Sequence, residues 1–335
     1  MKKHYKTVFF IIGLFGIVLM AMRANPEKLD WKELFTPKLL CFFMVLFLLW
    51  ALIYAVHTEV FRAIIGKDAD KISRLRLYKI IITGFALNNV TPAGLVGGEP
   101  YRILELKKYL STEKAASSTI SFSLMYVLGH ILLWLTGIVI YFFTKGPGET
   151  FITVIMIISG LIMLGITLYF LTFRHKALVK PVFNLLSGLP GIGKKVNETA
   201  AKNAELYDNI DRSYEELCAD RKKIFKIILL EYTARLLEGL EYYLIFRYLG
   251  AGLHIGGGIL ILTCASLIGN LLFMVPMQAG TREGGMIIAL TKLSIDPGTG
   301  VMGGLIYRMR DLFCTALGIL LILTDKGKKK EKSSS

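Results

Sequence analysis

Two carboxylates stand out because each follows a helix-breaking run inside apolar sequence. Glu99 closes Asn88-Asn89-Val90-Thr91-Pro92-Ala93-Gly94-Leu95-Val96-Gly97-Gly98-Glu99-Pro100. Glu283 closes Asn270-Leu271-Leu272-Phe273-Met274-Val275-Pro276-Met277-Gln278-Ala279-Gly280-Thr281-Arg282-Glu283 and is followed by Gly284-Gly285. In both copies an Asn precedes a Pro, and the Glu stands seven positions after that Pro. Pro removes a donor and Gly favours non-helical backbone, so each run interrupts a helix. Where a helix restarts, its free amides and positive dipole end hold anions. Pro100 suits the first helical position, which puts Glu99 at or beside an N-cap, and Thr281 is the candidate cap of the second restart. Arg102 lies one turn beyond Glu99, and Arg282 adjoins Glu283. Two helix starts, two Arg and two Glu meeting in one place would suit a head group carrying a phosphate and an amine. Internal ion pairs that only pin the broken segments are the alternative. Left uncompensated, either Glu would hold a proton more readily, which keeps proton coupling open.

A second set of charges lies at Glu231, Arg235, Glu238 and Glu241, spaced three or four apart along one helical face. Charges inside an apolar helix face a bundle interior or water and are functional candidates. Glu231 near a helix end has snorkelling as its plain alternative. His130 reads as a hydrogen-bonded core histidine, and His57, Glu59 and Arg62 as ordinary residues at a span's inner end. The residues expected to meet a head group are Asn89, Thr91, Pro92, Gly94, Gly97, Gly98, Glu99, Arg102, Arg235, Glu238, Pro276, Gly280, Thr281, Arg282, Glu283 and Arg308.

The elements that position them are set by composition. The chain has 335 residues, 54% of them hydrophobic, with mean hydropathy +0.55. Apolar runs such as Leu39 to Val56 are long enough to cross ~30 Å of hydrocarbon. The expected fold is all-α: a polytopic integral membrane protein with about six spans, near 7–22, 38–57, 117–143, 151–173, 224–249 and 302–323. Two further segments, 77–110 and 258–293, carry the motifs. The first apolar run, preceded by Lys2, Lys3 and Lys6, lacks a clean cleavage site and reads as a retained helix.

Net charge is +15. In this context it reports the positive-inside rule, and no nucleic-acid partner is expected. Basic residues gather before and after 77–110, in 174–226 and after Asp325. Placing them all in the cytoplasm makes 77–110 re-entrant from inside and 258–293 re-entrant from outside, an inverted repeat with both termini cytoplasmic. The final span is the weak point, since it would bury Arg308, Arg310 and Asp311. Residues 1–325 form one transmembrane domain, 174–226 a cytoplasmic loop with a helix-like run over 195–217, and 326–335 a solvated basic tail. The four cysteines show no metal or disulfide spacing, and no cofactor is expected.

Asn89-x-x-Pro92-Ala93-Gly94 with Gly97-Gly98-Glu99-x-x-Arg102, and Pro276-x-x-x-Gly280-x-x-Glu283, resemble the lysylphosphatidylglycerol synthase transmembrane region, also called the flippase-like domain family. The resemblance runs from about 7 to 325. In the multiple peptide resistance factors such a domain translocates aminoacylated phosphatidylglycerol beside a cytoplasmic transferase. The present sequence carries nothing like that transferase, so the resemblance implies the lipid-handling half alone and does not bring the aminoacyl-lipid substrate with it.

The leading expectation is a flippase-like transporter in a bacterial or archaeal cytoplasmic membrane. It would move an anionic phospholipid or lipid-linked head group by alternating access. No phosphate loop is present, so a gradient must drive it. An intramembrane head-group enzyme is disfavoured, because no nucleophile or metal-ligand set stands near either motif. A scaffold holding a lipid-synthesising enzyme through 174–226, and a carrier of soluble molecules, are the other readings. A second copy of the chain is the further candidate partner.

Overall fold

A computed structural model describes residues 37–91, 97–145, 150–173, 204–271, 278 and 280–324. The expected first span, Pro92, Gly94, Pro276, all of 174–203 and the basic tail lie outside them. The described residues form ten α-helices and one 3-10 turn. These are α1 (Pro37–Ile65), the turn Gly66–Lys71, α2 (Arg74–Val90), α3 (Gly98–Leu106), α4 (Thr112–Lys145), α5 (Thr150–Phe173), α6 (Ala204–Ala219), α7 (Arg221–Tyr248), α8 (Ile255–Leu271), α9 (Thr281–Lys292) and α10 (Pro297–Thr324).

Local chemistry sets the boundaries. The Ser73 hydroxyl accepts from Arg76 N at 3.3 Å and starts α2. Asp220 caps α7 by accepting from Lys223 N at 3.0 Å. Thr91 is extended (φ −84°, ψ 137°), as a residue before proline must be, so α2 stops there. The Thr91 hydroxyl donates to Leu87 O at 3.0 Å and satisfies a last-turn carbonyl. α4 and α10 begin several residues before the expected spans. Thr112 and Glu113 suit the first turn of α4, and Pro297 suits the first position of α10, so these helices extend past the apolar stretch. The expected run over 195–217 is described as a helix only from Ala204.

Packing gathers the helix ends into two groups. One hydrophobic cluster joins Ile65, Ile72, Leu77, Leu106, Leu110, Ala115, Leu217 and Ile224. This is the basic end, carrying Lys67, Lys71, Arg74, Lys107 and Lys108. α2 leaves it and α3 returns to it. The second cluster joins Ile245, Ala251, Leu253, Ile261 and Leu290, with Leu293 and Ile295 against it. α8 leaves that opposite end and α9 returns. Each pair crosses at a glycine: a Cβ on Gly98 would strike Gly84 O, and one on Gly285 would come 2.5 Å from Cys264 O. α2 packs on α10, α9 on α10, and α7 on α1, α4 and α8.

The distribution of polarity is inside-out. Leu40, Met44, Leu48 and Leu52 of α1 and Ile158, Leu161 and Ile162 of α5 are exposed, while Arg102, Glu105, Glu231, Arg235 and Glu241 are buried. Apolar surface outside and charge inside suit a solvent of hydrocarbon.

Candidate functional site

The described residues on either side of the two breaks line a shared cavity of about 320 Å³. Asn88 and Asn89 of α2 and the Thr91 that ends it line the cavity, as do Asn270, Gln278 and Arg282 from the α8–α9 segment. Arg235, Glu238 and Glu241 line it from α7, and Tyr307, Arg308, Arg310 and Asp311 from α10. Trp50, Tyr54, Tyr126, His130 and Trp134 supply an aromatic wall. Val127 of α4 lines the cavity and is exposed, so the cavity is open there.

Three ion-pair groups fix the charges around it. On α7, Arg235 donates to Glu231 Oε1 at 2.8 Å and to Glu238 at 2.9 and 2.8 Å. His57 Nδ1 lies 3.0 Å from Glu231 Oε2, and its Nε2 faces Arg235 Nη2 at 3.2 Å. That contact calls for the neutral tautomer with the proton on Nδ1, because the guanidinium can only donate. The Arg235 guanidinium also lies 4.1 Å from the Tyr126 ring centroid. The second group joins α7 to α10. Arg310 Nε donates to Glu241 Oε1 at 2.5 Å, and Arg310 Nη1 approaches Asp311 at 3.7 Å. Asn89 Nδ2 donates to Asp311 Oδ1 and lies near Thr315 Oγ1, both at 3.2 Å, which ties the first break to α10. In the third, Arg308 grips Glu283 through Nε at 2.5 Å and Nη2 at 3.1 Å, and donates to Gln278 O at 3.0 Å. Buried pairs of this kind cost desolvation that only complete pairing offsets.

The sequence-derived residues separate into two sets. Asn89, Thr91, Arg235, Glu238, Arg282 and Arg308 line the cavity. Glu99 and Arg102 lie one layer back. Glu99 Oε1 accepts from Ser123 Oγ at 3.1 Å, Arg102 Nη1 at 3.3 Å and Asn88 Nδ2 at 3.4 Å. Arg102, 1% exposed, packs over Phe85 and Phe122 at 4.6 and 5.2 Å. Its Nε and Nη2 have no partner among the described residues. The expected meeting of two Arg–Glu pairs in one chamber is therefore not the observed arrangement: the aromatic layer of Phe85 separates Arg102 from the cavity. Gly97 caps α3 and Gly98 begins it, with the Gly98 amide donating to Asn88 Oδ1 at 2.6 Å. Pro100 is thus the third helical residue, still within the turn where a missing N–H costs nothing.

The second restart also differs from expectation. Its cap is Gly280, held at φ 83°, and the Glu283 carboxylate accepts the Gly280 N–H at 2.9 Å. Thr281 is the first helical residue, and its hydroxyl donates back to Gln278 O at 3.0 Å. Glu283 therefore caps its helix and pairs with Arg308 together. Glu231 does not snorkel: at 1% exposure it is locked between His57 and Arg235. His57, read as ordinary, is a buried partner in that network. His130 does make a core hydrogen bond, to Tyr126 O at 3.1 Å, and also faces the cavity. Asn270 opens the second motif, whereas Gln278, Tyr242 and Tyr307 are among the lining residues that the sequence did not single out. Only their proximity to the breaks or to the α7 charges could have pointed to them.

The family model "Lysylphosphatidylglycerol synthase TM region" matches residues 7–318. The chain belongs to this family and is an all-α polytopic membrane protein. It is similar to a "UPF0104 membrane protein" of Methanothermobacter thermautotrophicus, 22% identical over 339 residues, covering 96% of this chain and 95% of the relative. No solved structure matches it.

Proposed function

We propose that the chain moves a phospholipid or lipid-linked head group across the cytoplasmic membrane by alternating access. The observation that carries this is the cavity between the segments flanking the two breaks, lined by charged and polar side chains and open at Val127. A lipid could place its head group among the arginines while its chains stay in hydrocarbon past α4. Broken helices that line a cavity are the membrane-protein form of an ion or head-group site. The basic end faces the cytoplasm, which makes α2–α3 re-entrant from inside and α8–α9 re-entrant from outside. The two pairs then form the halves of an inverted repeat, and rocking one against the other alternates access. The carrier belongs to a bacterial or archaeal cell.

Reconstitution in liposomes with fluorescent-head-group lipids tests this. Wild-type protein should expose label to an external quencher far faster than protein-free liposomes. Glu283→Gln, which breaks the Arg308 clamp, should slow exposure about tenfold or more per folded molecule, the scale of one lost charge-assisted pair. Protein-free rates from wild type, across anionic and zwitterionic lipids and with a proton gradient, would overturn the proposal.

A further inference from the structure

The geometry points to Arg282, with Tyr242 and Gln278, as a phosphate-binding subsite in the cavity wall. This rests on the reading of the cavity as a lipid head-group site and names the group that it grips.

The argument begins with compensation. Four guanidinium groups line the cavity. Arg235 has Glu231 and Glu238, Arg308 has Glu283, and Arg310 has Glu241. Arg282 has no carboxylate within ion-pair distance among the described residues, and Asp311 and Glu238 act on it only from farther off. Its Nε donates to the Gln278 side-chain oxygen at 3.2 Å, its Nη1 donates to the Tyr307 hydroxyl, and its guanidinium lies 5.2 Å from the Tyr307 ring centroid. All these partners are neutral. The wall's carboxylates answer to other donors: Glu238 takes both bonds from Arg235 Nη1, Glu241 takes Arg310, and Asp311 takes Asn89 and faces Arg310.

Helix geometry explains why Arg282 is left over. Adjacent residues on a helix point ~100° apart, so Arg282 does not face Glu283. Glu283 turns to its own N-terminus and to Arg308, and Arg282 turns to the cavity.

Gln278 fixes that direction. It sits at φ 52°, a conformation that non-glycine residues adopt at a cost and that recurs at functional sites. Its amide is committed at both ends, Oε1 to Arg282 and Nε2 to Asn270 Oδ1 at 3.1 Å. A glutamate here would neutralise Arg282, whereas the amide orients it and leaves its charge available.

A second, independent observation points to a ligand. Tyr242 lines the same cavity, is 1% exposed, and its hydroxyl has no partner among the described residues. Its ring lies 5.4 Å from that of Tyr307. A buried hydroxyl without a partner costs free energy that a ligand acceptor would offset. A guanidinium without a direct ion-pair partner, in the same wall as an unpaired hydroxyl, fits a phosphate ester, whose oxygens accept from both.

The test is binding to purified full-length protein in detergent, read by intrinsic fluorescence, since Trp50 and Trp134 line the cavity. The probes are phosphatidic acid, diacylglycerol with the same chains, and free glycerol phosphate. Wild type should bind phosphatidic acid at least about tenfold more tightly than diacylglycerol, the scale of one charge-assisted bond. Glycerol phosphate should compete weakly, which separates a lipid site from a free-phosphate site; competition equal to that of phosphatidic acid would overturn the lipid assignment. Gln278→Glu and Arg282→Gln should each remove the preference. Tyr242→Phe should weaken it several-fold while leaving the melting temperature unchanged or raised, because the hydroxyl has no partner to lose. Equal binding of both lipids, or a preference that survives Gln278→Glu and Arg282→Gln, would overturn the subsite. If translocation is nonetheless seen in liposomes, the transport reading survives that failure. Phosphate-selective binding without translocation would keep the subsite and defeat the transport reading.

Discussion

In α2–α3, Glu99 meets Arg102 of its own helix, in a pocket closed by Phe85 and Phe122. In α8–α9, Glu283 meets Arg308, which arrives from α10, and the neighbouring Arg282 faces the cavity. The spacing from proline to glutamate is the same in both. What differs is the offset between Glu and Arg within the segment. An offset of three lets Glu99 and Arg102 pair on one helical face; an offset of one prevents it. The first segment therefore closes its charge on itself and acts as a buried fastening. The second imports a partner from α10 and leaves Arg282 to the cavity.

Three perturbations probe that contrast. The largest effect is shared by both segments. Gly98→Val and Gly285→Val each drive a side chain into the backbone of the facing helix and should cost about 3 kcal/mol or more, read as loss of monodisperse protein on heating in detergent. A fold that tolerates one and not the other would show that the two crossings are not equivalent. The second effect separates the segments. Double-mutant cycles in mixed-micelle unfolding should give a coupling of about 2 kcal/mol for the two-bond Glu283–Arg308 pair and about 1 kcal/mol for the single 3.3 Å Glu99–Arg102 bond. Equal couplings would erase the distinction between clamp and fastening. The smallest effect concerns the second restart. Thr281→Ala should cost about 0.5 kcal/mol or less, because Glu283 and Gly280 make the cap; a loss of about 1 kcal/mol or more would return the capping role to Thr281.

The helices and both interruptions were legible because they depend on local features: apolar run length, Pro92 behind an extended Thr91, and glycines at the restarts. The charged face of α7 was legible for the same reason, since Glu231, Arg235 and Glu238 are one turn apart. Partners supplied by distant helices were not. Nothing in the sequence near residue 57 shows that His57 meets Glu231, and the pairings Glu283–Arg308 and Glu241–Arg310 exist only once α10 packs beside α7 and α9. The charges that made the last span look implausible, Arg308, Arg310 and Asp311, are the ones that this packing compensates. That Arg102 stays out of the cavity depends on the Phe85 layer, which spacing does not encode.

Photocrosslinking tests the central claim, that a lipid head group occupies the cavity between the two broken segments, most directly. Benzoylphenylalanine would replace Trp134 inside the cavity and, separately, Phe143, which is 88% exposed on the outer surface of α4. After irradiation in native membranes, mass spectrometry would identify the adducts. The account predicts phospholipid adducts at both positions, with the adduct at 134 lost and that at 143 kept when Arg282→Gln is added. Phospholipid captured at 143 and never at 134 would contradict it.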